Sequence, residues 1–271
     1  MQTDKVQFRV QSQYWKALVI LAFLIISIAW LLNTPPGFLG KADAVGYAVC
    51  HRIDLRSFHI GDRQMSLCSR CSGMYLGALL GLIYQGVIGR RRTGIPSWKI
   101  LVPVSLFALL FIVDGVNSFL SLFPAAPSLY EPNNTLRLFT GAGMGLAIAI
   151  ALYPAFNSTV WRLIDPRPAL LNMRSFLVLV LLAAALNGLI LLNIPFVLYI
   201  LSLVSAAGVL VLLTLVYTMI IMMVFKVENG YNQARQMGYA LIGGLTVALI
   251  QIGLLDFLRF LFTGTWEGFH L

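Results

Sequence analysis

The sequence predicts an all-α, polytopic transmembrane bundle of about seven helices, and three observations lead there. Hydrophobic residues make up 59% of the 271-residue chain and charged ones 11%, against about 25% charged in a soluble domain. Mean hydropathy is +0.85. Several apolar runs approach about 20 residues, enough for a helix to cross a hydrocarbon core of about 30 Å. Open strands cannot satisfy their backbone in lipid, so each run reads as a helix. The chain reads as one integral membrane domain over residues 1–271, multipass in the plasma membrane, with the lipid bilayer as partner.

The first run, Ala17–Leu32, follows Lys5, Arg9 and Lys16. Ala42-Asp43-Ala44 has the small residues of a secretory cleavage site. The run is long for a signal peptide, however, and that site lies well beyond its end, so an uncleaved first helix is expected. The second, Ser72–Gly89, carries Gly73, Gly77 and Gly81 at a spacing that lets a neighbouring backbone approach. The third, Trp98–Leu122, holds Asp114 and Asn117. The fourth, Thr135–Phe156, holds Arg137 and an alternating Gly141, Gly143 and Gly145 that do not fall on one face. Ser175–Leu192 and Phe196–Phe225 are split only by Asn193-Ile194-Pro195, a tight turn between two helices. The seventh, Met237–Phe262, carries Asp256 and Arg259 at ion-pair spacing. Asp165-Pro-Arg-Pro predicts a cytoplasmic turn, and His270 an exposed tail.

Charge orients the bundle. Of the 19 Lys and Arg, twelve fall in the segments that are inner when the N-terminus is cytoplasmic, and seven fall outside. This predicts a cytoplasmic N-terminus and an extracytoplasmic C-terminus. The net charge of +9 then reads as juxtamembrane Lys and Arg that meet anionic headgroups. No basic helix with interleaved aromatics is present, and no nucleic-acid partner is expected. Asp114, Asn117, Arg137, Asp256 and Arg259 all fall toward the outer side, where a membrane charge is normally paired or functional. The inner half lacks the carboxylate relay of a proton or ion pump.

The outer side also receives Cys50 to Cys71, CHRIDLRSFHIGDRQMSLCSRC. It gathers all three cysteines, two of the three histidines and four arginines. Cys68 and Cys71 have the C-x-x-C spacing with which two thiolates share one tetrahedral metal. Cys50 and His51 can supply two further ligands to zinc, with His59 as a substitute for the imidazole. The same spacing serves thiol–disulfide exchange, and an odd cysteine count suits shuttling better than a fixed staple. A structural staple is the third reading. Arg70, between two of the cysteines, favours thiolate.

The pattern of Cys50, His51, Arg56, Ser57, Phe58, Gly61, Cys68, Arg70, Cys71, Gly73, Tyr75 and Gly77 resembles the signature of domain-of-unknown-function family 2085, a group of predicted membrane proteins. A second patch is similar to the same family: Asp114-Gly115, Asn117, Glu131, Asn134, Leu136, Arg137, Thr140 and Gly141. The resemblance spans about residues 45–145 and implies a multipass membrane protein without an assigned reaction. The helices of residues 146–271 carry no matching signature.

Topology brings both patches to the outer face, and they are expected to cap one shallow pocket. The first functional expectation is a metal-dependent enzyme acting on an outer-leaflet lipid or isoprenoid. Asp114 would be general base, with Glu131 and Arg137 completing the catalytic set. Arg56, Arg70, Asn117 and Asn134 would bind, and Asp114 and Arg137 can neutralise one another. The second is a quinone-linked thiol–disulfide oxidoreductase. The third is a transporter or assembly factor whose loop is a pinned lid.

Overall fold

The computed structural model describes residues 13–123 and 127–268. Lys5, Arg9 and His270 lie outside the described residues. Eight α-helices form among the described residues: α1 Gln13–Asn33, α2 Gly37–Val49, α3 Ser69–Ile88, α4 Trp98–Leu120, α5 Asn134–Val160, α6 Met173–Leu191, α7 Pro195–Val224 and α8 Gly238–Thr263. Seven are long and apolar enough to cross a membrane. The eighth, α2, lies in what the sequence presents as a loop; its 13 residues are too few to span.

α3 and α5 form the central seam, and glycines set their approach. A Cβ at Gly77 would sit 2.6 Å from the carbonyl oxygen of Ala142, and one at Gly141 or Gly145 would collide with the carbonyl oxygen of Arg70 or Met74. Gly143 faces the other way, toward Phe107 of α4. The alternating glycines thus serve two neighbours. α4 and α6 flank α5, with Ile100, Leu146, Ile150 and Leu179 in one core. α7 packs on α3 and α8, and α1 lies outermost against α8. Leu21, Leu106, Leu181 and Phe262 remain exposed to lipid. Asn193, in a left-handed conformation, turns α6 into α7.

Two small ribbons secure opposite ends of the bundle. At one end β1 (His59–Ile60) pairs antiparallel with β2 (Arg63–Gln64), turning at Gly61 with φ +62°. At the other, β3 (Arg92–Gly94) pairs in parallel with β4 (Asp165–Pro168). The Asp165-Pro-Arg-Pro segment expected as a turn is therefore a strand. Its prolines are tolerated because the ribbon has only two strands and both are edges.

Candidate functional site

The cysteine centre is assembled by two helix ends. Cys50 caps the C-terminus of α2, its N–H donating to the Gly46 carbonyl at 2.8 Å. Arg259 of α8 holds that end from outside, donating to the carbonyl oxygens of Tyr47 at 2.6 Å and Cys50 at 2.7 Å. A cation suits the exposed carbonyls of a helix C-terminus. Cys68 is the N-cap of α3, and Cys71 stands in its first turn. Gly46 lets the two parts meet, because any side chain there would strike the Ser66 carbonyl oxygen. The three Sγ atoms consequently lie within 4.8 Å of one another.

Backbone donors converge on this cluster. The N–H groups of Arg52 and Cys68 reach Cys50 Sγ at 3.5 and 3.4 Å. Arg52 adopts a left-handed backbone, φ 52°, in the turn that follows Cys50. The Cys68 thiol is held well below the usual range, first by the S–H donated from Cys50, then by Cys71, with Arg70 adding its charge. Cys50 keeps its proton for the same reason and is pushed up to about 12 by its bond to Cys68 and by burial. Among the crowded sulfurs Cys68 ionises first and Cys50 holds its proton, because a second anion beside the first would be repelled. A divalent cation would replace those protons, and thiolate donors suit zinc.

His51 does not join the sulfurs. It is exposed, and no imidazole nitrogen or carboxylate belongs to the cluster among the described residues. Its backbone oxygen accepts from Arg259 at 3.1 Å. The expected substitute, His59, pairs instead with Asp54 at 2.9 Å. The protein donors brought together are therefore Cys50, Cys68 and Cys71.

Arg70 links the centre to the second patch. Its Nε donates to Asp114 Oδ2 at 3.0 Å, and its Nη2 reaches the same oxygen. That Nη2 also reaches the Asp114 carbonyl at 3.1 Å and Ser118 Oγ at 2.8 Å. Tyr130 donates to Asp114 Oδ1 at 2.9 Å, and Thr140 reaches Oδ2 at 3.4 Å. The partner of Asp114 is thus Arg70, and not the Arg137 that the sequence suggests. Arg137 bonds Ser118 Oγ at 3.4 Å and Asn134 Oδ1 at 3.1 Å. Arg56 donates to the Ser118 carbonyl at 3.0 Å, and burial followed by the Arg70 charge lowers its pKa. Three guanidiniums reach Ser118, with Asp114 as the buried carboxylate among them.

The remaining site candidates tie loops. Asn117 donates to the Tyr130 carbonyl at 2.9 Å and accepts from Leu129 N–H at 2.7 Å. Asn134 donates to the carbonyls of Leu55 at 3.2 Å and Ser57 at 3.4 Å, so the two loops touch. Glu131 is exposed on its loop. Ser118 and Tyr130 escape the sequence reading. Ser118 lies one helical turn from Asp114 and could have been found on the same face, whereas nothing local marks Tyr130. Asp43, on the unexpected α2, takes Arg52 at 3.3 Å and Arg63 at 2.5 Å.

A family model described as Predicted membrane protein (DUF2085) matches residues 50–151, from Cys50 into α5. The chain belongs to this family. An uncharacterized protein of Methanocaldococcus jannaschii is 27% identical over 158 residues, covering 54% of this chain and 94% of that one. An uncharacterized protein of Methanothermobacter thermautotrophicus is 34% identical over 102 residues, covering 37% and 82%. No solved structure matches. The family region contains the cysteine centre, the Arg70–Asp114 pair and the α3–α5 seam.

Proposed function

We propose that this multipass membrane protein holds one zinc-class ion on Cys50, Cys68 and Cys71, and receives the anionic headgroup of an outer-leaflet lipid or isoprenoid beside it. The observation that carries the reading is the three-sulfur cluster, with its backbone N–H donors and no fourth protein ligand among the described residues. An ion there would supply Lewis acidity to a ligand at the position that three protein donors leave open. Arg56, Arg70 and Arg137 around Ser118 outnumber the single carboxylate of Asp114. Guanidinium forks suit phosphate or carboxylate headgroups. Asp114 fits the role of counter-ion and anchor for Arg70 better than that of a base, because both its oxygens already accept hydrogen bonds. Hydrolysis of such a headgroup is the reaction class the site suits. The Lys and Arg distribution supports reading this end as the extracytoplasmic one.

The test is elemental analysis of protein purified without chelator, beside thiol counting. One zinc-class ion per chain and no disulfide is the expected result; metal-free protein with a disulfide overturns it.

One observation favours a second reading. Cys68 is an acidified thiol at the N-terminus of α3, the position from which a thiolate attacks. In thiol–disulfide exchange two of the cysteines would close to a disulfide. The two electrons and two protons released would pass to a quinone-class acceptor. Redox-cycling thiols in protein without metal would select this reading.

A further inference from the structure

A cavity of about 580 Å³ opens between α1 and α8, lined by Trp30, Ile250, Gly253, Asp256, Phe257 and Phe260 among others. Its walls are mostly aromatic and aliphatic, with Asn33 and Thr34 as neutral polar residues and Asp256 as the one carboxylate. Asp256 is only 3% exposed. Its Oδ2 accepts the Trp30 indole N–H at 3.3 Å, while Oδ1 is buried without a hydrogen-bond partner among the described residues. A buried carboxylate oxygen without a donor is costly, and within a membrane helix it marks a ligand position more often than a packing position.

The surroundings narrow the class of donor. Arg259 stands one turn further along α8, with its guanidinium on the end of α2. Lys41 Nζ lies 5.9 Å from the centre of the Trp30 ring and donates to the Thr34 carbonyl at 3.0 Å. The Arg259 charge already acts on the carboxylate, so a further cation gains little there and a neutral donor is favoured. Asp256 also lies about two turns before the end of α8. We propose that this groove binds a long-chain lipid alcohol, its apolar chain along α1 and α8 and its hydroxyl donating to Asp256 Oδ1. The groove is lined by none of the three cysteines, and α1 and α8 lie outside the family-matched residues 50–151.

The test uses the full chain in phosphatidylcholine nanodiscs and a long-chain primary alcohol bearing a diazirine. After illumination, labelled peptides are mapped and the labelled fraction measured. Labelling should concentrate on α1 and α8, and fall when unlabelled alcohol competes but not when an alkane of equal length does. Asp256→Leu removes the acceptor and should lower labelling about tenfold, as the loss of a hydrogen bond to a charged group does. Should that variant not fold, Gly253→Leu blocks the groove from its wall. A Cβ there meets only Trp30, at 3.7 Å, so labelling should fall while the rest of the bundle is kept. The thermal unfolding midpoint in detergent serves as the independent check that each variant is folded. Equal competition by the alkane, stronger competition by an amine-headed lipid, or unchanged labelling in both folded variants would overturn the assignment.

Discussion

Both ends of the bundle are stitched by arginine–aspartate pairs, but the pairs differ in burial. At the ribbon end, Asp165 takes Arg92 at 3.3 Å and Arg167 at 2.8 Å, with the Arg167 side chain 66% exposed. The two guanidiniums hold that carboxyl well below its usual range, Arg167 first, yet water screens the arrangement. At the cysteine end, the Asp114 side chain is 1% exposed and binds Arg70, Tyr130 and Thr140 from three directions. One pair decorates a surface ribbon. The other joins α3 to α4 and sets the position of the first turn of α3, where Cys71 also sits. The contrast assigns structural consequence by burial and by the number of elements joined, not by the presence of an ion pair.

The largest expected effect follows from breaking the buried pair. Arg70→Ala or Asp114→Ala leaves the other charge without its partner and should cost about 3–5 kcal/mol, read as a fall in the thermal unfolding midpoint in detergent. Replacing both by apolar residues of similar volume should recover most of that loss. A single-variant effect as small as that of a surface pair would remove the distinction between the ends. A smaller effect is expected along the seam. Gly141→Leu drives a side chain into the Arg70 carbonyl oxygen and should cost about 1–3 kcal/mol. Gly86→Ala meets nothing within 4 Å and should leave the same midpoint unchanged or slightly raised. The smallest effect belongs to the ribbon end, where Arg167→Ala should leave the midpoint where it is.

The spans were legible because about 20 apolar residues in lipid have one low-energy conformation. α2 was not, since Gly37, Gly40, Lys41, Asp43 and Gly46 break any apolar run in its 13 residues; its stability comes from packing on α7 and α8. That omission hid Asp43 as the acceptor for Arg52 and Arg63. The pairing of Asp114 was misread for a related reason. α3 begins at Ser69, three residues before the expected start at Ser72, and so Arg70 projects from a helix toward α4 instead of lying in the loop. The clustering of the cysteines was visible in their spacing. The exclusion of His51 was not, because the left-handed turn at Arg52 that directs the chain away after Cys50 has no glycine to announce it.

X-ray absorption at the zinc edge of the purified protein counts the sulfurs around the proposed metal directly. Three sulfur neighbours at about 2.3 Å and one lighter neighbour are expected, without the outer-shell pattern of imidazole. A shell of nitrogen and oxygen alone, an imidazole signature, or purified protein carrying no metal would contradict the three-sulfur site.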